Sequence, residues 1–154
     1  MRKTAVLIAA AFLLPQLAGA QMKVQPQAPK APRPAPLQKA NPQAALDSVR
    51  RVGIEGASNL VQSQRAVIVD VRSKEQFDLG HIKGAINIPG SQIVSRIREL
   101  PPGKMIITYC ACSAEQSSGR AVIELNAHGV NNAAALHGGW AAWQKAGLPT
   151  AKTN

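Results

Sequence analysis

Two cysteines, Cys110 and Cys112, are the only thiols in the chain, and Ala111 separates them. They directly follow the apolar run Ile106-Ile107-Thr108-Tyr109 and precede Ser113-Ala114-Glu115-Gln116, which leads into a helical pattern from Ser117. A sulfur placed between a strand end and a helix start faces unpaired N–H groups and the positive end of the helix dipole. Both favour thiolate over thiol. An unperturbed cysteine, with a pKa of ~8.5, is mostly protonated at neutral pH, and lowering that value by about two units makes the thiolate the main species. The stabilisation required is roughly 2.7 kcal/mol. Loop amides can supply it without a lysine or histidine base, so the pair offers nucleophilic chemistry.

Other uses of the pair are weaker. An even cysteine count allows a disulfide, but cysteines two positions apart make a strained bridge with divergent side chains. The histidines are His81, His128 and His137, and none sits at zinc-ligand spacing from the pair. No metal and no other cofactor is expected, although a thiol redox or metal-handling use of Cys-Ala-Cys stays open. Phosphate-ester hydrolysis by a cysteine requires Cys-x5-Arg, so that the arginine clamps the phosphoryl oxygens. The corresponding positions are Gln116 and Ser118, so neither cysteine has its arginine and that chemistry is disfavoured.

The elements that would carry these residues alternate between strand and helix. Asn41-Pro42 reads as a cap followed by a helical proline, opening a short helix to about Arg51. Ala66 to Val71 is a continuous β-branched run, which predicts a strand buried on both faces. Ser73 with Gln76 resembles a capping box for a helix that runs to Leu79 and ends at Gly80. Ala85 to Ile88 predicts a short strand. Ile93, Val94, Ile97 and Leu100 have helical spacing over Ser91–Leu100, before Pro101-Pro102-Gly103. Met105–Tyr109 is a second buried strand, Ser117–His128 a helix, Asn132–Leu136 a strand and Trp140–Lys145 a helix. This alternation predicts a small α/β domain with a central parallel sheet and helices on both faces. Ligand sites in such sheets lie at the carboxyl ends of the strands, where Asp70–Arg72 and Cys110 stand.

The chain has 154 residues, 45% of them hydrophobic and 3% aromatic, with a formal charge of +10. The charge sits largely outside the predicted domain. Arg2 and Lys3 open the chain, and Lys23, Lys30, Arg33 and Lys39 lie in a stretch without acids. No basic cluster is longer than Arg50-Arg51, so a nucleic-acid partner is not expected. Met1–Ala20 has a basic start, an apolar run from Ala5 to Leu14 and a small-residue end at Ala18-Gly19-Ala20. That is the layout of a cleavable signal peptide, too short to span a membrane. The expected organisation is a leader over 1–20, a Pro-rich cationic linker over 21–41 and a folded domain over 42–150, in a periplasmic or secreted protein. The linker should be extended and solvated. Its P-x-x-P spacings offer a segment for an unidentified protein partner, beside the plainer reading of a spacer.

The folded part resembles a single-domain rhodanese. Val69-Asp70-Val71-Arg72 with Glu75 and Phe77, then Gly80-His81-Ile82-Lys83-Gly84-Ala85-Ile86-Asn87-Ile88-Pro89, is similar to the family's D-x-R and G-H-I-x-G-A-x-N-I-P signatures. Tyr109-Cys110 resembles the strand that delivers the reactive cysteine. Leu136-His137-Gly138-Gly139-Trp140 with Trp143 resembles the closing G-G-x-x-x-W motif. The resemblance implies sulfur transfer: a thiolate takes sulfane sulfur from a small donor such as thiosulfate, and a thiol acceptor removes it. It also implies supporting roles for Asp70, Arg72, Glu75 and His81, with Arg72 pairing Asp70 or Glu75 and His81 fixing the turn around Gly80 and Gly84.

The loop Ala111, Cys112, Ser113, Ala114, Glu115, Gln116, Ser117 departs from the commonest family pattern. It is closer to a subgroup with a C-x-C-P-N-E loop, with Ser113-Ala114 in place of Pro-Asn. Glu115 would repel dianionic thiosulfate unless its carboxylate points away, and Arg120, one turn into the helix, would compensate in part. Counting from the strand puts Cys110 at the family's nucleophile position, whereas counting back from the helix end at Gly129 puts Cys112 there. Rigid strand ends favour Cys110, with Cys112 then a resolving or partner thiol. A non-catalytic, partner-binding rhodanese module is the alternative from another functional class.

Overall fold

The computed structural model describes residues 41–111 and 115–153. The predicted leader, nearly all of the linker, and Cys112, Ser113 and Ala114 lie outside the described residues.

The two β-branched runs form the centre of the sheet. β2 (Ala66–Asp70) and β5 (Met105–Tyr109) pair in parallel along their full length, with Asp70 opposite Tyr109. β4 (Ile86–Asn87) extends the sheet beyond β2, and β6 (Ala133–Leu136) and β1 (Arg51–Val52) extend it beyond β5. The order is β1-β6-β5-β2-β4, and every pairing is parallel. All five β5 residues are buried, as the unbroken apolar run requires of a strand covered on both faces.

Two buried clusters lie on opposite faces. Val69, Ile106, Cys110, Val122 and Leu125 share one, where α4 (Gln116–Ala127) packs beside α1 (Pro42–Asp47). Ile68, Ile107, Tyr109, Ala57 and Trp143 share the other, where α2 (Ile54–Gln62) and α5 (Gly139–Lys145) pack. Alternation of residues 106 and 107 between the faces follows from the period of two along a strand.

Local signals set several boundaries. Asn41 caps α1 by accepting from the Gln43 N–H at 3.0 Å, with proline in the first turn. α1 stops at Asp47, short of the expected Arg51, because Arg51 opens β1 opposite Ala135. Ser73 caps α3 (Lys74–Leu79) at the Gln76 N–H, and Gly80 ends it. The helix expected over Ser91–Leu100 is absent. Two 3-10 turns, Gly90–Gln92 and Ile97–Glu99, occupy the segment, and Arg96 between them has φ −108° and ψ 15°, outside helical values. The apolar positions are still used, because Ile93 and Leu100 are buried. α2 was not expected: Gly53, Gly56, Ser58 and Asn59 mask its periodicity. Nor was the antiparallel pair β3 (His81–Ile82) and β7 (Thr150–Ala151), since two-residue strands carry no pattern.

Candidate active site

Cys110 is the first residue beyond β5 and is 3% exposed. Its backbone carbonyl accepts from the Trp140 N–H at 3.0 Å, which ties the strand end to the start of α5. Its Sγ lies 3.7 Å from Oγ of Ser118, in the first turn of α4. The Ser118 hydroxyl donates to the Glu115 carbonyl at 3.0 Å. A hydroxyl has one proton, so in this arrangement Ser118 can only accept from the sulfur. Rotating that proton toward Sγ would let Ser118 stabilise a thiolate instead. A cleft of about 310 Å³ reaches Cys110, lined also by Val71, Arg72, Ser73, Ala111 and Ser117.

Glu115 occupies the foot of α4, with φ 54°, a left-handed conformation uncommon for a residue with a side chain. Its side chain is 3% exposed, and both carboxylate oxygens are engaged. Oε2 accepts from Arg51 Nε at 2.8 Å. Oε1 accepts from the Gly138 N–H at 2.6 Å and lies 3.0 Å from His137 Nδ1. Gly138 itself has φ +72°, so glycine's freedom is needed to aim that N–H. The acid therefore turns away from the cleft and binds the ends of β1 and β6.

At the ends of β2 and β5 lies a buried ionic network. Asp70 is fully buried at the end of β2 and accepts from the Arg72 backbone N–H at 2.9 Å, from Arg72 Nε, and from the Tyr109 hydroxyl at 2.5 Å. Arg72 pairs with Asp70 and donates to the Gly80 carbonyl at 2.7 Å, and its guanidinium stacks 5.0 Å from the Trp140 ring centroid. Burial works against the Arg72 charge, and the Asp70 contacts more than offset it, so its pKa lies above the ordinary value. Burial, followed by the adjacent Asp70 carboxylate, pushes the Tyr109 phenol well above its usual range. The same hydroxyl accepts from the Ile82 N–H at 3.2 Å, and Asn87 Nδ2 donates to the carbonyls of Asp70 and Arg72. Every polar group at the end of β2 is held.

The other expected residues fall around this core. Arg72 pairs with Asp70 rather than with Glu75, which is exposed in the first turn of α3. His81 stacks on Phe77 at 3.6 Å, and its Nδ1 lies 2.8 Å from the Phe77 carbonyl, so its bonding is to α3. Gln116 and Ser117 open α4, and Arg120 is exposed one turn further on. Sequence reasoning missed Arg51, His137, Gly138 and Ser118 as loop partners. The one available signal was an acid in a loop with no local base.

A family model for the rhodanese-like domain matches residues 54–146. An uncharacterised protein of Synechocystis is 37% identical over 94 residues, covering 61% of this chain and 51% of that protein. The uncharacterised protein YqhL of Bacillus subtilis is 39% identical over 80 residues, covering 52% of this chain and 62% of that protein. A tRNA uridine(34) hydroxylase of Staphylococcus haemolyticus is 36% identical over 97 residues, covering 55% of this chain and 28% of that enzyme. The chain thus spans less than two thirds of the length of each of these relatives. Among solved structures, the BH2092 protein of Bacillus halodurans superposes with a TM-score of 0.63 at 28% identity, covering 73% of this chain and 88% of that one. The rhodanese-like domain of the Anabaena Alr3790 protein gives 0.60 at 28% identity, covering 66% and 78%. By its matched residues 54–146, and by a cysteine at the end of the central strand of a five-stranded parallel sheet, this chain belongs to the rhodanese-like domain family.

Proposed function

We propose that the chain is an exported sulfurtransferase or persulfide carrier, with Cys110 as the sulfur-bearing residue. The observation that carries this reading is the position of Cys110, one residue beyond β5 and 3.7 Å from the first-turn hydroxyl of α4. Its thiolate attacks the outer sulfur of a donor such as thiosulfate, the donor S–S bond breaks, and sulfite leaves with the bonding pair. An acceptor thiolate then attacks the outer sulfur of the persulfide, and the Cys110 thiolate is regenerated. The two half-reactions give ping-pong kinetics. Cys112 serves as a partner thiol for the persulfide or for a transient disulfide. Export rests on the basic, apolar and small-residue layout of Met1–Ala20.

The test is the mass of the purified protein after incubation with thiosulfate, repeated on Cys110→Ser and Cys112→Ser. A gain of about 32 Da, one sulfur, that survives Cys112→Ser and is lost with Cys110→Ser is expected. Retention by Cys110→Ser moves the role to Cys112, and retention by both variants or absence from the parent chain overturns the reading. Fractionation of the source cells should recover a chain that begins at Gln21 outside the cytoplasm.

A further inference from the structure

A second cleft, of about 510 Å³, adjoins the one that reaches Cys110. The two share Val71, Ser73 and Ser117, so they lie side by side and together follow α4 outward from Cys110. The outer part carries hydroxyls at Ser73, Ser91 and Ser117, and its charged side chains, among the described residues, are Arg120 and Glu124. Arg120 and Glu124 stand four apart on α4, which places them on one face of the helix. No ion pair joins them, and neither pairs with another described side chain.

Helical rise locates these groups relative to the sulfur. Ser117 borders the Cys110 cleft, Arg120 lies ~4.5 Å further along the helix axis and Glu124 ~10 Å further. A molecule whose sulfur reaches Cys110 therefore has its remaining groups within reach of one exposed cation and one exposed anion. A carboxylate fits the Arg120 guanidinium and an ammonium fits Glu124. A small inorganic oxyanion such as thiosulfate needs neither the length of this groove nor its anion.

We propose that this outer groove is the acceptor subsite, and that it takes a zwitterionic small thiol, such as cysteine or a short cysteine peptide, by its carboxylate at Arg120 and its ammonium at Glu124. The assignment rests on the sulfur-transfer reading and names the class of its second substrate. In the step it serves, the bound thiolate forms a new S–S bond to the outer sulfur of the persulfide. The old S–S bond breaks, its electron pair returns to the protein sulfur, and no external oxidant or reductant is consumed.

The experiment loads the full chain with thiosulfate, removes excess donor and follows loss of the added sulfur by mass in a single turnover. The acceptors are cysteine, cysteamine (which lacks the carboxylate) and 3-mercaptopropionate (which lacks the ammonium), compared at equal thiolate concentration. Exposed ion pairs give discrimination of about fivefold or less each. Cysteine should therefore exceed each analogue by about three- to fivefold. Arg120→Gln should collapse the cysteine-to-cysteamine ratio toward one, and Glu124→Gln the ratio of cysteine to 3-mercaptopropionate. Equal rates for the three thiols, or ratios that ignore the two substitutions, overturn the subsite. A chain that never gains the sulfur overturns the proposed function instead, so the two failures are read at different steps.

Discussion

The Glu115 carboxylate accepts from the Arg51 guanidinium at 2.8 Å across 64 residues of sequence. Arg51 also donates to the carbonyls of Leu46 and Val49 beyond it. The acid at the end of the reactive loop is therefore fastened to β1 and to the end of α1. Both of its carboxylate oxygens are thereby engaged by groups of β1 and of the turn after β6.

Replacing this acid tests that fastening. Glu115→Gln weakens the bond to Arg51 and the contacts to Gly138 and His137, and the expected cost is about 1–3 kcal/mol of stability. Thermal unfolding reads the loss. Sulfur transfer from thiosulfate should slow as well, because the loop loses its anchor. A faster variant would show that the carboxylate hinders the donor.

Ser118→Ala removes the hydroxyl 3.7 Å from Sγ. The substitution removes a group able to donate to a thiolate, so Cys110 should react severalfold more slowly with iodoacetamide at neutral pH. A Cys112→Ser background isolates the signal. Unchanged alkylation would mean that other groups hold the sulfur's charge.

Tyr109 is the only tyrosine in the chain, so phenolate absorbance reports it alone. Its folded pKa is raised above the ordinary 10.0, chiefly by burial and then by Asp70. A raised value means the contribution to stability is complete below pH 10 and is lost as pH climbs toward the folded value. The denaturant midpoint should fall from about pH 10 upward, with no phenolate signal before unfolding. Early ionisation in the native state would contradict the buried contact with Asp70.

Gly138→Ala places a Cβ 2.5 Å from that of Ala142, at φ +72°. Strain and overlap together should cost about 2–4 kcal/mol. Gly147→Ala, at φ +65° with open space around it, should cost only about 1–2 kcal/mol. Comparison of the two melting temperatures separates crowding from backbone strain, and equal losses would remove the crowding argument.

Much of the frame was legible because it is local. The runs Ala66–Asp70 and Met105–Tyr109 mark themselves as buried strands, and the Ser73–Gly80 signals mark a short helix. The segment over 91–100 was misleading: apolar spacing reports which residues turn inward, and it does not distinguish two 3-10 turns from an α-helix. The position of Cys110 could be reached by counting from the strand. The Glu115 contacts could not, since Arg51, His137 and Gly138 approach it only after β1 and β6 have paired.

β5 is hydrogen-bonded on both sides and buried throughout, and the carbonyl just beyond it is clasped by Trp140. Backbone amides in such a strand exchange with solvent only when the whole domain opens. The cysteine is thus mounted at the end of a strand whose amides open only with the domain. The thiol at position 110 therefore keeps its place relative to the sheet for as long as the domain stays folded.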